Sequence, residues 1–349
     1  VSRAVQDATR ADAPREELVA MYRVMLLARA LDERMWLLNR QGKAPFVISG
    51  QGHEGAQAGM VSVLRRDHDW LVPYYRSVTA VLAFGMTARE VMLGQFGRAA
   101  DPSSGGRQMP SHWGHAERRI FTNSSPVATQ VLHATGIALA SKMRGLDEVT
   151  VTSLGEGSSN QGDFHEALNF AGVHRLPVIF VVENNGYAIS VPSHLESAVE
   201  DIGSRGAGYG MPGVVVDGAD VLACRAAMTQ AVARARSGEG PSLLEAKVTR
   251  LTAHSSDDQQ TRYRSAEELE AQRERDPLPR MREVLRSVGA LDDATEEELA
   301  ASVRAEVDDA TDWAEAQPLP DPGTAELWVY ADVPPARMDD PDWAGWADR

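Results

Sequence analysis

Four short β-rich runs, at 149–154, 178–183, 213–216 and 243–248, alternate with helical stretches near 128–144, 159–173 and 220–237. No other feature constrains the fold as much. Strands joined through helices have to run parallel, with the helices packed on the sheet. The pattern predicts an α/β fold: a parallel sheet with helices on both faces.

Helical periodicity frames this core. Pro14, Glu16 and Glu17 make a helix start, and Leu18, Met21, Tyr22 and Met25 continue it. A second stripe, Val24, Leu27, Leu31, Met35 and Leu38, predicts a helix wedged between layers or against another subunit, ending at Gly42. Residues 53–96 read as short helices around an extended "DWLVPYYRS", and 97–119 as a long loop rich in Gly, Ser, Pro and Arg. Loops of that length inside a domain are usually functional. Residues 249–264 are polar and irregular, 265–316 read as acidic amphipathic helices, and the tail from Pro318 is rich in Pro, Asp and Trp. The expected division is a helical extension over 1–45, an α/β domain over 46–264, and C-terminal helices and tail over 265–349.

Composition narrows the function classes. A net charge of −15 over 349 residues argues against a nucleic-acid surface. No run approaches the roughly 20 apolar residues of a membrane span. The single cysteine, Cys224, cannot form an internal disulfide, so a reducing compartment is expected. The cytoplasm is the default.

The chemistry concentrates in "LGEGSSNQGDFHEALNFAGVHRLPVIFVVENNGYAIS", residues 154–190. Gly155-Glu156-Gly157 follows one strand and Asn184-Asn185-Gly186 the next, with Glu156 and Asn185 29 residues apart. Ligands of open parallel sheets bind beyond the carboxyl ends of the strands, so both side chains are expected to face one crevice. The glycines let backbone N–H groups approach a ligand, and the helix opening near Ser158 offers its positive end to an anion. A carboxylate, an amide oxygen and a turn carbonyl make a sparse oxygen set, suited to Mg2+ completed by phosphate oxygens. Two competing readings exist. Asn-Asn-Gly is a common turn. "GEGSSN" resembles the start of a dinucleotide fingerprint, with Glu183 as a ribose ligand, although Asn160 takes the place of the third glycine.

Gly-Glu-Gly through to Asn-Asn resembles the thiamin diphosphate motif, with Glu in place of the usual Asp. "ISGQGHEGAQAG", "GGRQMPSHWG", "NSSPVATQ", "ENNGYAIS", "SRGAGYG", "VDGAD" and "AHSSDDQQTRYRS" follow in order. Together they resemble the alpha subunit of the decarboxylating component of 2-oxo acid dehydrogenase complexes, branched-chain type. The resemblance implies a thiamin diphosphate-binding fold. It implies magnesium on Glu156, Asn185 and the Tyr187 carbonyl, diphosphate held by Tyr75 and Arg76, and a cradle at Gly155, Gly157 and Ser158. Ser125 and the Val127 backbone would hold the aminopyrimidine. Ser124, Pro126, Thr129 and Gln130 would bind potassium, although Ser-Ser-Pro also reads as a helix N-terminus. His254 would lie by the phosphates as a catalytic group, and Phe46 in the substrate pocket. Ser255 and Ser265 match positions phosphorylated in animal relatives. Glu183 departs from the family, standing where animal relatives place an arginine on the diphosphate.

No second set of strands follows Val248. The resemblance then implies a beta subunit that completes the sites of an α2β2 assembly. It implies oxidative decarboxylation of a branched 2-oxo acid such as 3-methyl-2-oxobutanoate, with acyl transfer to a lipoyl arm on an acyltransferase core protein. Pyruvate or acetoin dehydrogenase, a nicotinamide-dependent dehydrogenase and a non-catalytic scaffold subunit remain alternatives.

Overall fold

The computed structural model describes residues 13–327. The first part of the N-terminal extension and the Trp-bearing end of the tail lie outside them. Helix α1 (Arg15–Arg40) carries Glu16 and Glu17 in its first turn and Arg40 in its last, which complements the helix dipole. Its two apolar stripes are both used within this chain. Leu27, Leu31, Met35 and Leu38 enter the main core, while Leu18, Met21, Tyr22 and Met25 pack on Leu278, Met281 and Leu285. No second subunit is needed to bury either.

Helix α2 (Glu54–Val61), strand β1 (Trp70–Val72), and helices α3 (Val78–Phe84) and α4 (Ala88–Gln95) follow. A capping box between Thr87 and Glu90 starts α4. The stretch expected to be extended through "DWLVPYYRS" is extended only over β1. Past it, Ser77 N–H donates to the Tyr74 carbonyl at 3.0 Å and the Ser77 hydroxyl accepts from Tyr74 N–H at 3.2 Å, turning the chain into α3.

The 97–119 segment is a loop, as its composition predicts. After it come α5 (Thr129–Met143), β2 (Thr150–Gly155), α6 (Gly162–His174), β3 (Val178–Asn184), the short pair β4 (Tyr187–Ala188) and β5 (Val191–Pro192), β6 (Gly213–Asp217), α7 (Val221–Arg236) and β7 (Ser242–Lys247). The five-stranded sheet has the order β1-β2-β3-β7-β6 and is parallel throughout. The four anticipated strands are all in it, and β1 adds an edge. Along β3, Val178, Phe180 and Val182 face the cluster built on α5 and α6, and Ile179 and Val181 face the cluster built on α1 to α4 and α7. Both faces are therefore buried, which accounts for the unbroken apolar run.

Helices α8 (Ala266–Arg273), α9 (Pro277–Ser287) and α10 (Asp293–Glu315) close the chain, capped by Ser265, Asp276 and Asp292. Beyond α10 the backbone returns to the long loop: Ala99 N–H donates to the Pro318 carbonyl at 3.0 Å and Arg107 Nη2 to Thr324 Oγ1 at 2.9 Å. Among the described residues no helix is long and apolar enough to cross a membrane.

Candidate active site at the tips of β2 and β3

Parallel pairing of β2 with β3 sets Gly155 opposite Glu183, so the two strands end side by side. Glu156 and Asn185 are the residues just past these ends. The Glu156 carboxylate accepts the Asn185 N–H on Oε2 at 3.1 Å. Gly186, at φ +85°, turns the backbone so that Asn185 Oδ1 accepts Tyr187 N–H at 3.2 Å. The carboxylate meets the backbone of Asn185, and the two residues line one cavity.

Glu156 is 2% exposed, and its Oε1 has no hydrogen-bond partner. Burial pushes the carboxyl above its usual range; the Asn185 N–H offsets part of this, and Glu196 adds repulsion. A buried carboxylate oxygen left bare costs about 1–3 kcal/mol, a cost a cation would remove. Among the described residues no group of three His, Cys, Asp or Glu side chains converges on one point. One carboxylate beside neutral oxygens suits an ion whose other ligands are phosphate oxygens, so the residues fit magnesium held through a diphosphate.

A cavity of about 430 Å³ opens over these tips. Its wall contains Phe46, Tyr75, Arg76, Ser125, Val127, Gly155, Glu156, Gly157, Ser158, Asn185, Tyr187 and His254. Every cofactor or substrate residue expected from the sequence thus borders one space. The four residues of the expected potassium set lie at the start of α5 and the loop before it. Ser124 Oγ lies 2.6 Å from Thr129 Oγ1, and both hydroxyls bond the Pro126 carbonyl, at 3.3 and 3.0 Å. Gln130 donates through Nε2 to the Ser153 carbonyl at 2.9 Å, and a cation would take its other amide atom, Oε1. Ser-Ser-Pro does not cap the helix. Ala128, left-handed at φ 71°, precedes α5, and no side chain accepts from its first turn.

Arg76 is 2% exposed and shapes the cavity floor. Nη1 donates to the Ser49 carbonyl at 2.8 Å, and Nη2 to His254 Nδ1 at 2.8 Å and to the His254 carbonyl at 3.0 Å. Since Arg76 can only donate, Nδ1 of His254 is the acceptor and Nε2 carries the proton. Burial, with Arg76 and Arg250 adding positive charge, lowers His254 to about 3, so the ring is neutral at physiological pH.

Glu183 is committed to the protein's own polar groups. It is 2% exposed and accepts from His53 Nδ1 at 2.7 Å, Gln57 Nε2 at 2.9 Å and Tyr74 Oη at 3.1 Å. Gln57 also donates to the Arg76 carbonyl at 3.0 Å. Glu183 therefore braces the Tyr74–Arg76 turn from below, and it is absent from the residues lining the cavity. Asn160 closes the dinucleotide reading from the other side, bonding the Glu196 carbonyl at 3.1 Å and Arg205 Nη2 at 3.1 Å.

Sequence reasoning missed His112, which also lines the cavity. Its Nδ1 donates to the Met109 carbonyl at 2.9 Å, so Nε2 accepts the Ser125 hydroxyl at 2.6 Å. The quoted "GGRQMPSHWG" contained it, but the ring's aim toward Ser125 depends on how the loop folds. The hydroxyls of Ser255 and Ser265 are both engaged, the first accepting from Asp257 N–H and the second from Glu268 N–H.

A sheet with its functional groups past the ends of adjacent central strands, and a cavity sized for a cofactor head, defines an α/β cofactor enzyme. The dehydrogenase E1 component family matches residues 22–323, and the chain belongs to that family. It is 54% identical to the 2-oxoisovalerate dehydrogenase subunit alpha of Bacillus subtilis (strain 168), over 90% of this chain and 96% of the relative. It is 40% identical to the 3-methyl-2-oxobutanoate dehydrogenase subunit alpha of Mycobacterium tuberculosis (93% and 85% covered). The mitochondrial 2-oxoisovalerate dehydrogenase subunit alpha of Homo sapiens is 35% identical (92% and 72% covered). These homologues place the chain with the branched-chain 2-oxo acid dehydrogenase alpha subunits, an oxidoreductase component, ahead of the pyruvate, acetoin, nicotinamide and scaffold readings.

Proposed function

We propose that this chain is the diphosphate-anchoring half of an enzyme that oxidatively decarboxylates a branched 2-oxo acid with thiamin diphosphate and Mg2+. The observation that carries the reading is the bare, buried Oε1 of Glu156 beside Asn185 at two adjoining strand tips. Glu156, Asn185 and the Tyr187 carbonyl are the proposed magnesium ligands. Tyr75 and Arg76 flank the diphosphate with the backbone of Gly155, Gly157 and Ser158. Ser125, held by His112, and the Val127 backbone receive the aminopyrimidine. Potassium is assigned to Ser124, Pro126, Thr129 and Gln130, the last positioned by its Nε2 bond to the Ser153 carbonyl.

Thiamin diphosphate supplies the carbanion chemistry that removes carbon dioxide from a 2-oxo acid. The chain's task is to hold and orient. Arg76, fixed from two sides, keeps the His254 ring in one tautomer, with its Nε2 proton available to an oxygen in the cavity. Phe46 gives the cavity wall an apolar face suited to a branched side chain. Residues 46–264 form the working domain in this reading. A beta subunit in an α2β2 assembly supplies the pyrimidine-side acid, and a lipoyl-bearing acyltransferase core accepts the acyl group.

The test measures decarboxylation of 3-methyl-2-oxobutanoate and pyruvate by the chain alone and after reconstitution with its beta subunit. Turnover of the branched acid only in the complex, abolished by a chelator, is expected. Full activity of the chain alone, or tight metal-independent dinucleotide binding, would overturn the proposal.

A further inference from the structure

Beneath the cavity runs a line of buried polar contacts that begins on α1. Asp32 is 1% exposed, and its Oδ2 accepts the Ser49 hydroxyl at 2.9 Å and Gly50 N–H at 2.8 Å. The Ser49 hydroxyl in turn accepts Gln51 N–H at 3.1 Å. The carbonyl of the same serine takes Arg76 Nη1 at 2.8 Å, and Arg76 Nη2 holds His254 Nδ1 at 2.8 Å. The 46–52 segment carrying Ser49 also grips the loop of His254 directly. Leu251 N–H donates to the Gln51 carbonyl at 3.2 Å, and Ser256 N–H to the Val47 carbonyl at 2.8 Å. The fit leaves no slack: a Cβ on Gly50 would lie 2.7 Å from the Arg76 carbonyl.

We propose that Asp32 is a positioning residue of this site, setting Arg76 through the Ser49–Gly50 turn and, through Arg76, the ring of His254. The inference rests on the functional reading above. A burial this deep for an acid needs a reason, and general stability is a poor one. The other oxygen, Oδ1, has no partner at all, so an apolar residue here would avoid a desolvation cost. What the carboxylate does provide is two directed acceptor bonds on a segment that lines the cavity at Phe46 and Ile48.

The charge state of Asp32 is poised as well. Burial raises it to about 7, Glu54 adds repulsion, and the Ser49 and Gly50 hydrogen bonds and Arg29 oppose them. The neighbouring charges are otherwise paired. Glu54 on α2 accepts Arg29 Nε on Oε1 at 2.7 Å and Gly52 N–H on Oε2 at 2.6 Å, while Arg29 forks onto Asp276 ahead of α9. As pH rises through 7 the carboxylate ionises and its two acceptor bonds tighten, so the turn, and with it Arg76, becomes more firmly held.

The test uses the α–β complex with Asp32→Ala, Asp32→Asn and Ser49→Ala. Each is checked for folding by its thermal transition and followed by ¹³Cε1-histidine resonances, that of His254 being assigned by its loss in His254→Gln. For Asp32→Ala we expect kcat to fall about tenfold with KM changed less than about twofold, and the His254 midpoint to rise by about one pH unit or more. Ser49→Ala, which keeps the carbonyl on Arg76, moves both readouts the same way by a smaller factor, and it decides the matter if Asp32→Ala does not fold. Asp32→Asn keeps an acceptor oxygen without a titrating group, so it loses an inflection of kcat near pH 7. A folded Asp32→Ala whose His254 titration stays put overturns the proposal, whatever its activity. Absence of turnover in the unmodified complex overturns the functional reading instead, and the histidine titration still decides this one.

Discussion

Replacing Glu156 by Gln separates the metal role from every structural one. The variant keeps the side-chain length and an oxygen to accept Asn185 N–H, the bond seen at 3.1 Å, and removes only the charge. Two opposite effects follow. The folded carboxyl is raised above its unfolded value by burial, so the native state binds the proton more tightly. Stability from this group is then present below the unfolded pKa and lost as pH rises through the folded value, leaving a penalty at neutral pH. Glu156→Gln removes that penalty, so the ligand-free chain should gain stability at pH 7.5 and nothing at pH 4. Cofactor binding should move the other way. Losing the one carboxylate from a buried ion pair costs about 3 kcal/mol, which is roughly a hundredfold in affinity. The assay is calorimetric titration of the α–β complex with thiamin diphosphate in magnesium and in chelator, together with urea unfolding of the free chain. Magnesium-dependent binding within about threefold of the unmodified protein would refute the metal assignment.

Three further outcomes are expected. Glu183→Ala removes the shared acceptor of three buried donors and should cost about 2–3 kcal/mol in urea unfolding, whereas a loss below about 1 kcal/mol would mean that the brace under Tyr74–Arg76 is idle. Gly52 sits at φ +93° with its missing Cβ 2.2 Å from the Thr249 carbonyl, so Gly52→Ala should displace the 249–264 loop and speed its proteolysis, and an unchanged cleavage rate would count against the contact. His254 has a folded value of about 3, below its unfolded one, so its contribution is present above about pH 6.5 and lost as pH falls below that. His254→Gln should therefore flatten the fall in unfolding free energy between pH 7 and 5 by about 2 kcal/mol, and identical slopes in both proteins would sink the account.

The parts legible in sequence are those where several residues carry one signal. Val178 to Asn184 spells a buried strand by length and β-branching, and the Glu156–Asn185 interval follows from one crossover helix and one strand. The parts that were not legible depend on a single side chain whose partner is far along the chain. Asp32 looks like a polar step on an amphipathic helix, and only the fold brings Ser49 to it. Glu183 invited a ligand role because nothing nearby hints at His53, 130 residues earlier. Ala128 in a left-handed turn has no local signature either, since Ser-Ser-Pro ahead of it promises an ordinary cap that the backbone does not use.

The return of the chain past α10 sets an order of completion. Met109, Pro110 and His112 form one wall of the cavity, and the loop that bears them is tied at Ala99 and Arg107 to Pro318 and Thr324. During synthesis both strand tips leave the ribosome more than a hundred residues before those anchors do. A nascent chain thus exposes both strand tips well before the 318–324 segment is available to tie the loop that bears that wall.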